Sequence, residues 1–287
     1  MLNDKDVTRD QALGIYMGMA VGDALGAPWE FTKPDLFIDW KEIEIRTGGA
    51  HSVSEGEWTD DTAMARCIAH SYINFDELIP NVVYENFCAW EEGSDFGTRD
   101  YIFDIGVTCM TAIGNYKQGV AGELYRGVDD NSAQGNGGIM RLAPVILANI
   151  NDITRCRLEA IQSSALTHAS ETCLLYADRL ARDLFWGKYQ GHSALVIPKQ
   201  TKNTGHVIDT YFSAWQAVMT TGSFEDAIKK AVCRGGDSDT VAAVAGMIAG
   251  RIYGLSSIPD RWLDKLIMKD ELLDEANALY TLGMTRA

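Results

Sequence analysis

The sequence predicts a single, mainly α-helical domain over residues 1–287. Three observations carry the fold class. Apolar residues recur at helical spacing through most of the chain from residue 9 to residue 282. No series of alternating strand patterns appears. No Pro- or Ser-rich linker, repeat or low-complexity tract divides the chain. Its 287 residues, 46% hydrophobic, are enough to bury a substantial core.

Residues 9–26 read as the first helix. Gly14, Gly18, Gly22 and Gly26 recur every four residues and so line one face. Each glycine costs about 1 kcal/mol of helix stability relative to alanine. Four on one stripe therefore imply the close approach of another helix or a ligand, with core packing expected for Gly14 and Gly18. Asp23 and Glu30 bracket the end of this helix, where Ala27-Pro28-Trp29 breaks it. Residues 33–57 are loop-like, and Ile43-Glu44-Ile45 has the alternation of a short strand. Thr59 or Asp60 is the expected N-cap of a helix running through Ala63 to Ala69.

Helical patterns follow at 76–90 and 104–118, joined by a link that carries Gly93 and Gly97. A polar loop runs from Gly127 to Gly138. Helical periodicity resumes at 141–148, 152–168, 170–187 and 205–221, with 190–204 a surface loop in which Ala194 to Ile197 looks strand-like. Phe224 to Cys233 reads as a helix capped by Ser223. Val241 to Tyr253 is another, and the tail from Pro259 to Leu282 reads as helical.

Composition narrows the function. The net charge of −15 repels nucleic acid and anionic membranes, which argues against broad nucleic-acid binding. A phosphate-bearing ligand would need cations, amides or helix N-termini to offset that field locally. The six cysteines are scattered, none at a metal-knuckle or redox spacing, and read as reduced, mostly buried thiols. Residues 1–12 lack a signal-peptide pattern, and the apolar run Val241 to Ala249 is too short to span a bilayer. A cytoplasmic, non-membrane protein is the expectation.

Two acidic stretches carry the chemistry: Trp58-Thr59-Asp60-Asp61-Thr62 and, far downstream, Gly235-Gly236-Asp237-Ser238-Asp239-Thr240. Neighbouring carboxylates repel unless a cation lies between them. Hard divalent ions such as Mg²⁺ or Mn²⁺ prefer such oxygen ligands. Two carboxylate pairs with two threonine hydroxyls would serve one or two ions. Taken singly, Asp60 or Asp237 reads better as a helix cap; the matched Asp and Thr content of the two stretches favours metal. Neither has the spacing of an EF-hand. Gln134-Gly135-Asn136-Gly137-Gly138-Ile139-Met140-Arg141 would expose backbone amides as a phosphate nest does, although alone it reads better as a plain turn. It is neither a Walker loop nor a dinucleotide fingerprint. His168, between two helical runs, has no Cys or Ser–Asp partners in the sequence to make a nucleophilic hydrolase.

Together these stretches resemble the ADP-ribosylglycohydrolase family, which includes the dinitrogenase-reductase-activating glycohydrolases. The resemblance rests on Gly18 to Gly26 with Glu30, Trp58 to Thr62, Gly135 to Pro144, Thr167-His168 and Gly235 to Thr240, in order from about residue 10 to residue 254. Asp104-Ile105-Gly106 and Thr204 to Thr210 add to it. The resemblance implies an all-α fold, a single orthogonally packed helical domain with a binuclear Mg²⁺ or Mn²⁺ site in a central cleft, and a hydrolase that releases ADP-ribose from a modified protein side chain or a small conjugate. It implies Thr59, Asp60, Asp61, Asp237, Asp239 and Thr240 as metal ligands, and Glu30, with Asp61, as the catalytic carboxylates. Gly135, Asn136, Gly137, Gly138, Ile139 and Met140 would wrap the diphosphate and ribose. His168 would lie near the adenosine and Asp104 near the distal ribose. One departure is Gly138, where relatives often carry a small hydroxyl or alanine. A monomer is expected. Two other readings remain: a non-catalytic ADP-ribose-binding protein on the same fold, and a two-metal phosphoester or pyrophosphate hydrolase. The linkage cleaved is not readable from the residues.

Overall fold

A computed structural model describes residues 7–33, 40–119, 127–187, 198 and 200–286. Twelve α-helices are present among them, with no strand and only isolated bridges, such as Gly135 to His206.

The centre is a pair of helices, α1 (Arg9–Gly26) and α10 (Ser238–Tyr253). Both are apolar on nearly every face, and both are buried along almost their whole length, as core helices are. The glycine stripe of α1 explains how closely they meet. A Cβ on Gly14 would stand 2.5 Å from the Gly250 carbonyl oxygen, and one on Gly22 would stand 2.5 Å from the Ala242 carbonyl carbon. Gly18 faces Gly246, and Gly26 faces Ser238 and Asp239. Position rises along α1 as it falls along α10, so the two run antiparallel. The end of α1 therefore meets the start of α10, which brings Asp23 to Asp239. All four glycines serve this helix contact, Gly22 and Gly26 included.

The other helices form a shell. On the α1 side lie α2 (Asp60–Phe75), α5 (Ala143–Ala148) and α12 (Lys269–Thr285); α8 (Val207–Met219) and α9 (Phe224–Val232) pack on α10. A pair, α6 (Ile153–Ala165) and α7 (Glu171–Trp186), lies outside them. The remaining helices are α3 (Pro80–Glu91), α4 (Val107–Lys117) and the single turn α11 (Asp260–Leu263). Ser223 caps α9 through its side chain, as its sequence position predicts.

Several boundaries differ from the sequence pattern, each for a local reason. The helix expected from residue 76 begins at Pro80, because Asp76 closes α2 in the left-handed conformation and Ile79 is extended before the proline. The pattern from Pro259 to Leu282 is not one helix. It breaks between α11 and α12, where Met268 is left-handed, Ile267 N–H donates to Gly56 O and Trp58 Nε1 donates to Ile267 O. Ile43-Glu44-Ile45 is not a strand. Its isoleucines are buried while Glu44 accepts from Lys229, Arg261 and Trp262, so the alternation records a coil segment with one side inward. Residues 194–197, strand-like in sequence, lie outside the described residues.

Candidate metal centre and cleft

The antiparallel α1–α10 contact sets the floor of a cleft. Thr59, Asp60 and Asp61 open α2, while Asp237, Asp239 and Thr240 open α10, so both acidic stretches arrive at the C-terminal end of α1. Left-handed Gly235 (φ 61°) and Gly236 (φ 66°) make the turn into α10, and a Cβ on either would strike the backbone of Thr32 or Asn203. Phe31 N–H donates to Gly236 O and Gly236 N–H donates to Thr32 O, which ties the segment after Glu30 to the segment before Asp237.

The helix-cap reading of the two stretches does not hold. Thr59 and Asp237 occupy the N-cap positions of α2 and α10, yet neither side chain makes a capping bond. For α2 the cap is supplied by another helix. The fully buried Asp23 carboxylate accepts from the backbone N–H groups of Thr59 and Thr62 and from both their hydroxyls, at 2.6–3.1 Å. Sequence reading had marked Asp23 only as part of a motif at the end of α1.

The acids converge. Oxygens of Asp23, Asp61 and Asp239 lie within 4.8 Å of one another, as do those of Glu30, Asp237 and Asp239. Asp60 and Asp104 complete the group. Among the described residues no Lys or Arg forms an ion pair with any of these seven carboxylates; the one basic side chain in reach is His51. Burial, and then repulsion from the neighbouring acids, push up the proton affinities of Glu30, Asp60, Asp61, Asp104 and Asp239. Glu30 is raised to about 9 and Asp104 to about 7. Asp60, Asp61 and Asp239 lie well above the carboxylate range. Burial raises Asp23 to about 6 against the pull of its threonine donors. Asp61 Oδ1 and Asp239 Oδ1 are buried with no hydrogen-bond partner. An orphaned buried acceptor costs on the order of 1–3 kcal/mol. Two of them, on carboxylates that repel one another, fit a site for divalent cations with oxygen ligands.

Above this floor is a cavity of about 380 Å³. Of the residues picked out in the sequence, Glu30, Asp60, Asp104, Asp237, Asp239 and Thr240 line it from the acidic side, and Gly135, Asn136, Gly137, Met140 and His168 from the other. Thr59 and Asp61 are not among its lining. Both are buried close by, with Thr240 Oγ1 donating to Asp61 Oδ2 at 3.3 Å. Gly138 and Ile139 do not line it either. Gly138 faces the Ser164 side chain, where an added Cβ would lie 3.0 Å from the serine Cβ, and Ile139 is in the core.

The glycine loop is held by Asn136 and packed on His168. Asn136 Nδ2 donates to Thr210 Oγ1 at 2.8 Å and to Asp237 Oδ2 at 2.6 Å, which connects the loop to the acidic floor. A Cβ on Gly135 or Gly137 would meet the His168 ring at 2.8 or 2.6 Å. Burial and the nearby Arg141 cation lower His168 to about 3, so the ring is neutral; Nδ1 is 2.8 Å from Thr167 Oγ1. Among the described residues the Gly137 and Gly138 N–H groups have no hydrogen-bond partner. Of the two, Gly137 lines the cavity, and its amide is free to bind an anion there, as a nest requires.

The mouth of the cleft is marked by backbone conformation and by a histidine. Phe31 (φ 58°) and Asp104 (φ 54°), both lining the cavity, are non-glycine residues in the left-handed region. His51 Nε2 lies 2.8 Å from Glu30 Oε2 and 3.7 Å from Asp104 Oδ2. Its ring sits between Phe31 and Phe103, with centroids 5.9 Å away in each case. Sequence reading missed His51. It is a single histidine in a loop, with no spacing relation to Glu30 or Asp104.

A helical protein whose central helix pair presents clustered, unneutralised carboxylates to a cavity backed by a glycine loop is built for metal-assisted chemistry on a polar ligand. The comparisons with known proteins name the family. The model of the ADP-ribosylglycohydrolase family matches residues 4–182 and 176–287. ADP-ribosylarginine hydrolase Tri1 of Serratia proteamaculans is 31% identical over 298 residues, 96% of this chain and 80% of the relative. The ADP-ribosyl-(dinitrogen reductase) glycohydrolase of Rhodospirillum rubrum is 30% identical, over 96% of this chain and 97% of its own. A solved structure described as an ADP-ribosylglycohydrolase-related protein complex superposes with a TM-score of 0.81 at 31% identity, covering 96% of this chain and 99% of that one. The chain belongs to the ADP-ribosylglycohydrolase family and is a glycohydrolase. No helix among the described residues is long and apolar enough to cross a membrane.

Proposed function

We propose that the protein, one domain over residues 1–287 acting as a cytoplasmic monomer, hydrolyses the glycosidic bond between ADP-ribose and an arginine side chain, with two Mg²⁺ or Mn²⁺ ions. The observation that carries the metal reading is the pair of orphaned buried oxygens, Asp61 Oδ1 and Asp239 Oδ1, inside seven carboxylates with which no Lys or Arg among the described residues forms an ion pair. Thr59, Asp60, Asp61, Asp237, Asp239 and Thr240 would hold the ions. When bound, the ions would orient ribose hydroxyls and let the carboxylates stay ionised. Asp61, behind the floor, acts as a ligand rather than as a proton carrier.

The chain's own groups perform the rest. Gly135, Asn136, Gly137 and Met140 cradle the diphosphate and ribose, with the Gly137 amide as a donor, and His168 supports that loop beside the adenosine. Asp104 stands at the distal ribose. Glu30, at the mouth and paired with His51 Nε2, takes a proton from the attacking water at a carboxylate oxygen and returns it to the leaving nitrogen, in an oxocarbenium-like step. The arginine linkage is supported by the activity named for the Serratia relative, and by the mouth itself. Glu30 and Asp104 there offer negative charge, and Phe31, 66% exposed, offers a flat face to a guanidinium.

The test is a panel of peptides ADP-ribosylated on arginine or on serine, incubated with Mg²⁺ or Mn²⁺. Release of intact ADP-ribose from the arginine peptide is expected. Release of AMP would support a pyrophosphate hydrolase. ADP-ribose binding by calorimetry without turnover on any substrate would overturn the proposal.

A further inference from the structure

We propose that Asp23 is a positioning residue for the metal centre: it accepts the hydrogen bond that the Thr59 hydroxyl donates, so that Thr59 Oγ1 turns its lone pairs to the cation, and it is not itself a ligand. The inference rests on the metal reading above.

Three of Asp23's contacts come from Thr59. Its Oδ1 accepts from Thr59 N–H at 2.9 Å and from Thr59 Oγ1 at 2.9 Å, and its Oδ2 accepts the same N–H at 3.1 Å. Its Oδ2 also accepts from Thr62 N–H at 3.0 Å and from Thr62 Oγ1 at 2.6 Å. Each oxygen therefore already has at least two donors, about as many as its lone pairs serve. Asp61 Oδ1 and Asp239 Oδ1, which share the cluster, have none. Proximity alone does not separate these three acids; the occupancy of their oxygens does.

Thr59 Oγ1 has two acceptors in reach, Asp23 Oδ1 at 2.9 Å and Asp61 Oδ2 at 3.4 Å. A hydroxyl has one proton, and the shorter bond to an ionised acceptor takes it. The oxygen then faces the Asp61 side with lone pairs only. Without Asp23 the proton would turn toward Asp61, where it would oppose a cation on both oxygens. Outer carboxylates that orient a ligand in this way commonly set metal affinity by about 10–100-fold.

The geometry also separates two roles within Asp23. The Thr62 bonds brace the start of α2, while the Thr59 hydroxyl bond aims a ligand. Thr62→Val removes the hydroxyl bond of the first kind, at 2.6 Å, and leaves the Thr59 bonds in place.

The experiment is Mn²⁺ titration of the full chain, read by the loss of the free-ion EPR signal, with helical content checked by circular dichroism. Wild type is compared with Asp23→Asn, Thr59→Val, the double variant and Thr62→Val. Asp23→Asn and Thr59→Val are each expected to weaken Mn²⁺ binding at least about tenfold. The double variant should bind about as weakly as Thr59→Val alone, because the two act through one oxygen. Thr62→Val should lower the melting temperature and change Mn²⁺ affinity by less than threefold. Additive losses in the double variant would make Asp23 an independent ligand and overturn the proposal. So would a tenfold loss in Thr62→Val, which decides the matter if Asp23→Asn does not fold. Wild type that takes up no Mn²⁺ would overturn the metal reading instead, a separate outcome.

Discussion

Replacing Gly22 by alanine tests the central contact. Gly22 sits one residue before Asp23, on the face where α1 meets α10. The new Cβ would lie 2.5 Å from the Ala242 carbonyl carbon, closer still to its oxygen, and 2.9 Å from Ala243 N. Backbone cannot rotate away as a side chain would, so the two helices must part by about 1 Å in a close-packed interior. Overpacking of this kind costs about 1–3 kcal/mol, and this site belongs at the upper end because two buried helices move together. Alanine returns about 1 kcal/mol of helix propensity. The net loss is about 2 kcal/mol, a fall in melting temperature of roughly 3 °C for a chain of 287 residues. Mn²⁺ affinity should fall with it, because the parting moves Asp23 away from the first turn of α10. Gly114→Ala is the control: it lies in α4 with no atom near its added Cβ, and should gain stability by up to about 1 kcal/mol. Differential scanning fluorimetry, with and without Mn²⁺, reads both. A Gly22→Ala protein that melts with wild type, or gains as Gly114→Ala does, would refute the packing account.

Asp60→Ala and Asp237→Ala should each lower hydrolysis by roughly a thousandfold or more and weaken Mn²⁺ binding, with circular dichroism unchanged; full activity in either would remove the metal-site argument. Chelation by EDTA should lower the melting temperature more at pH 8 than at pH 5. Asp104 at about 7 and Glu30 at about 9 are raised in the fold, so their contribution in metal-free protein is fully present below about pH 4 and is lost as pH rises through those values. An equal effect at both pH values counts against the clustered charge. Glu44 behaves in the opposite sense. Its donors Arg261, Trp262 and Lys229 outweigh partial burial and hold it at about 2, so its contribution is present above about pH 4.5 and is lost as pH falls toward 2. Glu44→Gln should therefore destabilise the protein at pH 7 and flatten its acid denaturation over that window; an unchanged acid limb in thermal melts would show that solvent screens the group.

Much of the molecule was legible because its signals are local. Periodicity marks a buried helix, four glycines at one spacing mark a helix contact, and Ser223 before a helical run marks a cap. The paired Asp and Thr stretches were legible as chemistry because adjacent carboxylates are costly without a cation. The break between α11 and α12 was not legible, since the pairing of Ile267 with Gly56 that makes it is a long-range contact. His51 and the role of Asp23 were hidden for the same reason. A lone histidine in a loop and an aspartate at the end of a helix have many uses, and their partners are distant in sequence.

By itself the sequence determined the helical class, the glycine seam and the identity of the oxygen-rich residues. The tertiary structure alone decided which of those oxygens remain open. Asp23, Asp61 and Asp239 are the same residue type in the same cluster. Only the direction from which Thr59 and Thr62 approach makes the first a saturated brace and leaves the other two with bare acceptors. That distinction depends on how α1, α2 and α10 meet, and hydrogen-bond direction is a property of three-dimensional approach that residue order does not encode.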